Sequence, residues 1–559
     1  MVRGDAAEES LLMRAEALVR AHGIASDGDL GPLFDAAAAE QSDADALRRL
    51  RQMYEAGGWV LVESAVADLP ADLRWLYESD AVTIEQLGAI HRATGATSAA
   101  DLAAAVREQQ IRGIPGLDAE VEARVAAVLP RLRALVPRLT LGRATAIADP
   151  FLTALRTSAA VEWAEPVGSL RRGEDTVGDI EIVAATARPS DVIDELLRLP
   201  HASHPLHRRE RRLYVLNERV QVGIRLPEPA NAGSMLHYLS GSPAHLEALR
   251  AHAASAGWTL TPEGLRTREG ALHPAATEDE IYAALGLPCI PVEIRQGNDE
   301  IAAAARGSLP ELVSRRDIRG DLHMHSTWSD GRDSIEAMVD ACRALEYDYI
   351  AITDHSPHSA ASRNLTVDGA KKQAEEIAEL RERYSDITIL HGCEVDILPD
   401  GRLDFPERTL ERFDIVLASL HESAGHSPDQ LLKRYISAMS HPLVTMITHP
   451  TNRLVPHRRG YDLDYDRLFE VAVETRTVVE IDGSPVHLDL DGALARRAVA
   501  AGVTLAIDSD CHRAEMLDRQ MHFGLLTARR GWVEARHVLN TRPLDAVRAA
   551  IAAKRGSVR

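Results

Sequence analysis

Nine residues in the last two-fifths of the chain are of types that bind metal ions, and each follows a short apolar run. His323 and His325 lie in "DLHMH", two apart and therefore on one strand face. Asp330 follows in "STWSDG", and His355 ends "AITDH". Glu394 lies in "HGCEVD", His421 ends "LASLH", and His449 ends "MITHP". Asp510 and His512 close "IDSDCH", again two apart. Six imidazoles and three carboxylates exceed the needs of one tetrahedral ion. They suit two or three divalent transition-metal ions, Zn, Mn or Fe rather than Mg or Ca, with a carboxylate such as Glu394 bridging. Ions so held polarise a phosphoryl oxygen, supply hydroxide near neutral pH and hold the leaving oxygen, so the implied chemistry is phosphoester hydrolysis. Glu394, Asp510 and His512 are the candidate catalytic residues. Any one of these histidines alone reads better as a core or surface residue; nine at successive strand ends do not. Cys393 and Cys511 neighbour candidate ligands, but strand alternation turns them away.

A second carboxylate pair lies upstream in "VGDIEIVAA", where Asp179 and Glu181 share a strand face. Two-metal nucleotidyl transfer normally needs a third carboxylate.

The elements that must position these residues change character along the chain. Residues 1–65 read as a helical N-terminal region. Residues 66–145 read as short helices containing the hairpin-like "RGIPGLDAEVEARVAAVL", where Gly116 could offer backbone N–H to DNA phosphate. Strands "DIEIVAA", "RRLYVLN" and "RVQVGIRL" fall within 146–235, helix returns over 236–305, and 306–318 reads as a linker. From 319 to 559, seven apolar runs alternate with amphipathic helices such as "SIEAMVDACRAL", predicting a parallel sheet close to the eight-fold barrel in size. The C-terminal strand ends of such a barrel converge on one face, which is where active sites are built.

The bulk numbers bound the partners. At 559 residues the chain is too long for one core. A formal net charge of −21 excludes a global basic field, so any contact with nucleic acid must be local. The run "HRRERR" (207–212) reads first as a solvated hairpin or loop. Four scattered cysteines suit a reducing compartment. The acidic opening "MVRGDAAEESLL" lacks a secretory pattern, and no run is apolar enough to span a bilayer, so the expectation is a cytoplasmic protein without membrane contact.

The motifs "GDLHMHSTWSDG", "YIAITDHS", "GCEVDI", "SLHES", "ITHPT" and "IDSDCH" resemble those of the PHP (polymerase and histidinol phosphatase) domain. That resemblance implies a distorted seven-unit (β/α) barrel with a trinuclear centre. His323, His325, Glu394 and Asp510 would hold one ion, and Glu394, His421 and His449 a second. Asp330, His355 and His512 would hold the third. In "EIDGSPVHLDL" the chain departs from the family, with Asp482 and His487 where Asn and Arg are usual; Arg453 is a candidate to replace the phosphate contact.

The front half resembles bacterial family X DNA polymerases, which carry a C-terminal PHP domain. "VGSLRRGEDTVGDIEIV" is similar to their palm motif, implying that Gly168 and Ser169 cradle a nucleotide triphosphate and that Arg171 or Arg172 neutralises it. "LHYLSGSPAHLEALRAHA" is similar to the thumb entry, with Tyr238, Gly241 and Ser242 beside the nucleotide, and "DEIYAALGLPCIPVEIR" to the thumb's end. The resemblance implies a multidomain α/β protein: helical N-terminal region, nucleotidyltransferase-like palm and thumb, and PHP barrel.

Three departures weaken the polymerase half. Gly223 in "VGIR" stands where the third carboxylate is usual, and Glu181 replaces Asp; Mg²⁺ tolerates such geometry poorly. Asp118 stands where a phosphate-binding glycine is usual, and Leu246 where Asn is. Glu218 could substitute for the lost carboxylate only in another hairpin register. The expectation is a metal-dependent phosphoesterase, a 3′–5′ exonuclease or DNA-end-processing enzyme in repair, with an inactive or weak polymerase half that does not hold its Mg²⁺. DNA ends or single-stranded DNA are the expected partners, and a monomer the expected state. The alternatives are an active gap-filling polymerase, a small-molecule phosphatase of the histidinol-phosphate kind, and a non-enzymatic scaffold at DNA ends.

Overall fold

The computed structural model describes residues 81–96, 109–129, 138–200, 205–217, 220–359 and 363–556, with a few single residues between them. The helical region expected over 1–65, and Glu218, lie outside the described residues. The described residues divide into two compact units, one comprising those before Thr140 with those of Thr145–Pro166 and Gly178–Pro227, the other those of Thr140–Ala144, Val167–Val177 and Glu228–Arg559.

The first unit contains the helix α1 (Ala119–Val128) and a five-stranded mixed sheet. Its strands are β1 (Trp163–Pro166), β2 (Ile180–Ala185), β3 (Pro205–Arg209), β4 (Arg212–Asn217) and β5 (Val220–Arg225), in the order β1-β2-β5-β4-β3. Only β2 and β5 run parallel; the other neighbours are antiparallel. The basic run 207–212 forms the tight hairpin between β3 and β4, as its solvated-hairpin reading predicts.

In the second unit, α2 (Pro229–Ser240), α3 (Pro243–Ser255) and α4 (Glu278–Ala284) surround a small antiparallel sheet and share one apolar cluster. The segment 306–318, expected as a linker, is pinned down. Val313 is buried and its N–H donates to the Val533 carbonyl, while Asp317 caps the turn that begins at Ser314.

Seven strands follow in chain order: β6 (Gly320–Asp321), β7 (Tyr349–Ile352), β8 (Thr388–Asp396), β9 (Ile415–Ser419), β10 (Val444–Ile447), β11 (Val478–Asp482) and β12 (Leu505–Asp508). All pair in parallel with their sequence neighbours. The first and last strands then meet: Met324 bridges Cys511, and Asp508 accepts from the Leu322 N–H. The result is a nearly closed seven-stranded barrel, one unit short of the eight-fold form.

Alternation explains why these strands read as unbroken apolar runs, since both faces are buried. Tyr349, Ala351, Leu390 and Leu417 fill the interior, capped by Val547 and Ile551 of the last helix. Ile350, Ile352, Val416 and Ala418 face outward to the helices. Cys393 and Cys511 lie in that outer layer, turned from their ligand-type neighbours as alternation requires. Ser334, Thr366 and Ser427 cap barrel helices, setting where each strand end gives way to the next helix.

Candidate metal centre

All nine ligand-type residues meet at the C-terminal mouth of the barrel. Glu394, at the end of β8, is wholly buried and central. Its Oε1 lies 2.8 Å from His449 Nε2 and 3.4 Å from His421 Nε2. Its Oε2 lies 2.7 Å from His355 Nδ1 and 3.5 Å from His323 Nε2. His325 Nε2 is 3.1 Å from both His323 Nε2 and Asp510 Oδ1. Asp330 Oδ1 is 3.6 Å from His355 Nε2 and 3.3 Å from His512 Nε2. These atoms form three compact donor groups: His323, His325 and Asp510; His355, Glu394 and His421; and Asp330, His355 and His512 with His325.

The separations suit cation ligands. Two ligands each about 2.1 Å from one tetrahedral ion stand about 3.4 Å apart, which is the spacing seen across most of these pairs. His355 Nδ1 and Glu394 Oε2 are buried and close, yet neither makes a hydrogen bond; Asp330 Oδ1 is likewise buried without one. Buried polar atoms in that condition are expensive unless a cation satisfies them. The donor set therefore fits divalent transition metals. His449 and Asp510 also hold positive φ, 27° and 49°. Such backbone costs roughly 1–3 kcal/mol per residue and collects at functional sites.

The electrostatics agree. Burial alone would raise the Glu394 carboxyl, but His355, His323 and His421 outweigh it and hold it well below the usual range. Burial likewise opposes protonation of His323, yet Glu480, Glu394 and Asp510 raise it well above an ordinary histidine. Burial pushes His325 down to about 4, helped by His355 and His512. Asp482 is pushed well up by burial and by Asp510 and Glu480. An excess of carboxylates so close together calls for compensating positive charge.

Two orienting carboxylates escaped the sequence reading. Glu480 on β11 accepts from His323 Nδ1 at 2.6 Å and from the His449 backbone N–H at 2.7 Å. Asp396 accepts from His421 Nδ1 at 2.9 Å. Each fixes which ring nitrogen faces the centre. Each lies two residues from a residue already singled out, Asp482 or Glu394, so strand alternation contained the signal. Arg453 does not reach the centre to contact phosphate: its guanidinium donates to the carbonyls of His487 and Leu488 and to Asp175.

The upstream carboxylates are arranged differently. Gly223 on β5 lies between Glu181 and Tyr214 in register across the sheet. The Tyr214 hydroxyl donates to Glu181 Oε1 at 3.0 Å, and Arg225 donates to Glu181 Oε2. A Cβ at position 223 would meet the Tyr214 ring at 2.7 Å and Glu181 at 2.8 Å. The place expected for a third carboxylate is thus filled, and Glu181 is already paired. Asp179 is exposed. Gly168, Ser169 and Arg172 belong to the second unit. Gly168 has φ 65°, and Arg172 donates to the Ser240 carbonyl and to Glu174. Arg171 pairs with Glu278 at 2.6 Å. Tyr238 accepts from Arg250, and Ser242 caps α3. Leu246 joins the apolar cluster. Gly116 has φ 83° in the turn before α1. Asp118 caps α1, taking the N–H groups of Glu120 and Val121 that an anion would otherwise use.

A parallel barrel with this donor cluster at its mouth defines a PHP-type metal-dependent hydrolase. Family models agree in both halves: DNA polymerase beta thumb matches residues 235–296 and PHP domain matches residues 321–482. The DNA polymerase/3′-5′ exonuclease PolX of Bacillus subtilis is 34% identical over 504 residues, 89% of this chain and 88% of that one. The chain therefore belongs to the bacterial family X DNA polymerases that carry a C-terminal PHP domain. The barrel region is also similar to shorter proteins. A probable phosphatase of Thermoanaerobacter sp. is 32% identical over 204 residues, 34% of this chain and 78% of that one. Another, of Caldanaerobacter subterraneus, is 32% identical over 173 residues, 29% of this chain and 63% of that one. Among the described residues no helix is long and apolar enough to cross a membrane.

Proposed function

We propose that the barrel hydrolyses phosphodiester bonds at DNA ends, as a 3′–5′ exonuclease, and that the polymerase-like half positions DNA without extending it. One observation carries the reading: eight donor side chains from successive strand ends converge around the ninth, the buried Glu394. His323, His325 and Asp510, then Glu394, His421 and His449, then Asp330, His355 and His512 would hold Zn, Mn or Fe ions. Such ions, when bound, lower the pKa of water and neutralise charge on the phosphoryl oxygens. Asp510 and Glu394 would orient the attacking water, Glu480 and Asp396 hold their histidines to one tautomer, and His512, with Asp330 and His355, would hold the ion that steadies the departing oxygen. The Tyr214–Glu181–Arg225 arrangement supports an inactive palm, since it occupies the space and the charge that Mg²⁺ would need.

A nuclease assay on 3′-labelled DNA, with wild type, His323→Ala and Asp179→Ala, tests the division of labour. Hydrolysis is lost only in His323→Ala; equal loss in both variants overturns it. A second reading, small-molecule phosphatase, is favoured by the probable phosphatases that match the barrel alone. It predicts turnover of phosphomonoesters with no dependence on the front half.

A further inference from the structure

We propose that Asp482, His487 and Asp510 form an additional divalent-cation position beside the main cage, sharing Asp510 with the first of the three donor groups assigned above. The proposal deepens the metal-hydrolase reading and rests on it. One ligand-type atom from each of the three residues lies within 4.8 Å of the others, and all three residues are buried.

The orientation of each donor is set from behind. Asp482, at the end of β11, accepts the Ser484 N–H on Oδ1 at 2.6 Å. Its Oδ2 is buried and has no hydrogen-bond partner. His487 Nδ1 lies 2.9 Å from the Arg453 carbonyl oxygen, which can only accept, so Nδ1 carries the proton and Nε2 keeps its lone pair. A carbonyl on one ring nitrogen is the usual support for a histidine that ligates through the other. The ring is also held parallel to His449, with centroids 5.3 Å apart and planes 18° apart. Arg453 itself cannot neutralise Asp482, because its guanidinium is engaged with Asp175 and two carbonyls.

A buried carboxylate oxygen without a partner, beside a second carboxylate, is costly, and a dication removes that cost. One imidazole and two carboxylates suit Zn or Mn, and three protein donors leave coordination open for a substrate oxygen. The ligand proposed there is therefore a divalent transition metal.

The full chain, stripped with chelator and dialysed against graded Zn²⁺ or Mn²⁺, is assayed for metal per chain by mass spectrometry. Wild type is expected to saturate one equivalent above Asp482→Asn and above His487→Gln, with thermal unfolding used to confirm that each variant is folded. Equal loading in wild type and both variants overturns the proposal, while loss of metal in His323→Ala alone leaves the hydrolase reading standing. Wild type that loads no transition metal overturns both. Anomalous scattering from crystals of the metal-saturated wild type needs no variant. A peak within ligand reach of Asp482 and His487 supports the site, and none at saturation overturns it.

Discussion

Glu480 makes the sharpest test of how the centre is held. Its carboxylate faces His323 Nδ1 at 2.6 Å and the His449 N–H at 2.7 Å, and it is wholly buried. Through these two contacts it aims donors that sit on both sides of Glu394. Glu480→Gln keeps the size and one acceptor oxygen but removes the charge that makes the His323 ring more basic. Loss of such an orienting carboxylate costs roughly tenfold to a hundredfold in metal affinity, which corresponds to about 1.4–2.7 kcal/mol. The assay is competition with a chromophoric chelator, followed by hydrolysis at rising free metal. The variant is expected to require tenfold to a hundredfold more metal for half-activation, with the number of ions at saturation unchanged. Half-activation within twofold of wild type would falsify the claim that Glu480 positions the cage.

Other outcomes follow from the same geometry. Glu278, buried between Arg295 and Arg171, is held down to about 2 against the upward pull of burial. A carboxyl so depressed stabilises the fold above its ordinary titration range, by about 3 kcal/mol, and loses that contribution as pH falls toward 2. Glu278→Gln should therefore lower the unfolding midpoint at pH 7, and the gap from wild type should narrow by pH 3. Gly223→Asp should not restore primer extension, because its Cβ meets the Tyr214 ring; overpacking of this kind costs about 1–3 kcal/mol, readable by denaturant titration. Chelation should abolish hydrolysis and lower thermal stability together, since ions bound only by the folded barrel stabilise it by mass action; Mn²⁺ should restore both. If activity survives exhaustive chelation, the metal reading is wrong.

The barrel was legible because its strands are buried on both faces and end in polar residues, so apolar runs and ligand types marked the same positions. His323, Glu394 and Asp510 could be picked out on that basis. Glu480 and Asp396 were harder, because a carboxylate inside an apolar strand reads as an oddity until its cross-barrel partner is known. The palm shows the limit more clearly. Gly223 announced a missing carboxylate, but only the register that sets Tyr214 and Glu181 on either side of it shows that the gap is filled. The pairing that sets Glu181 beside Gly223 joins residues far apart in the chain, and local pattern carries little information about it. The same holds for the segment at Val313, whose loop-like composition gave no hint of its contact with Val533.

The barrel closes by joining its first strand to its last, and the cage draws His323 and His325 from one side of that seam and Asp510 and His512 from the other. A ribosome releases these pairs far apart in time. Until the later pair has emerged and docked, a growing chain has no complete donor set for the ions that these side chains fit. Completion of the donor set thus waits on completion of the barrel.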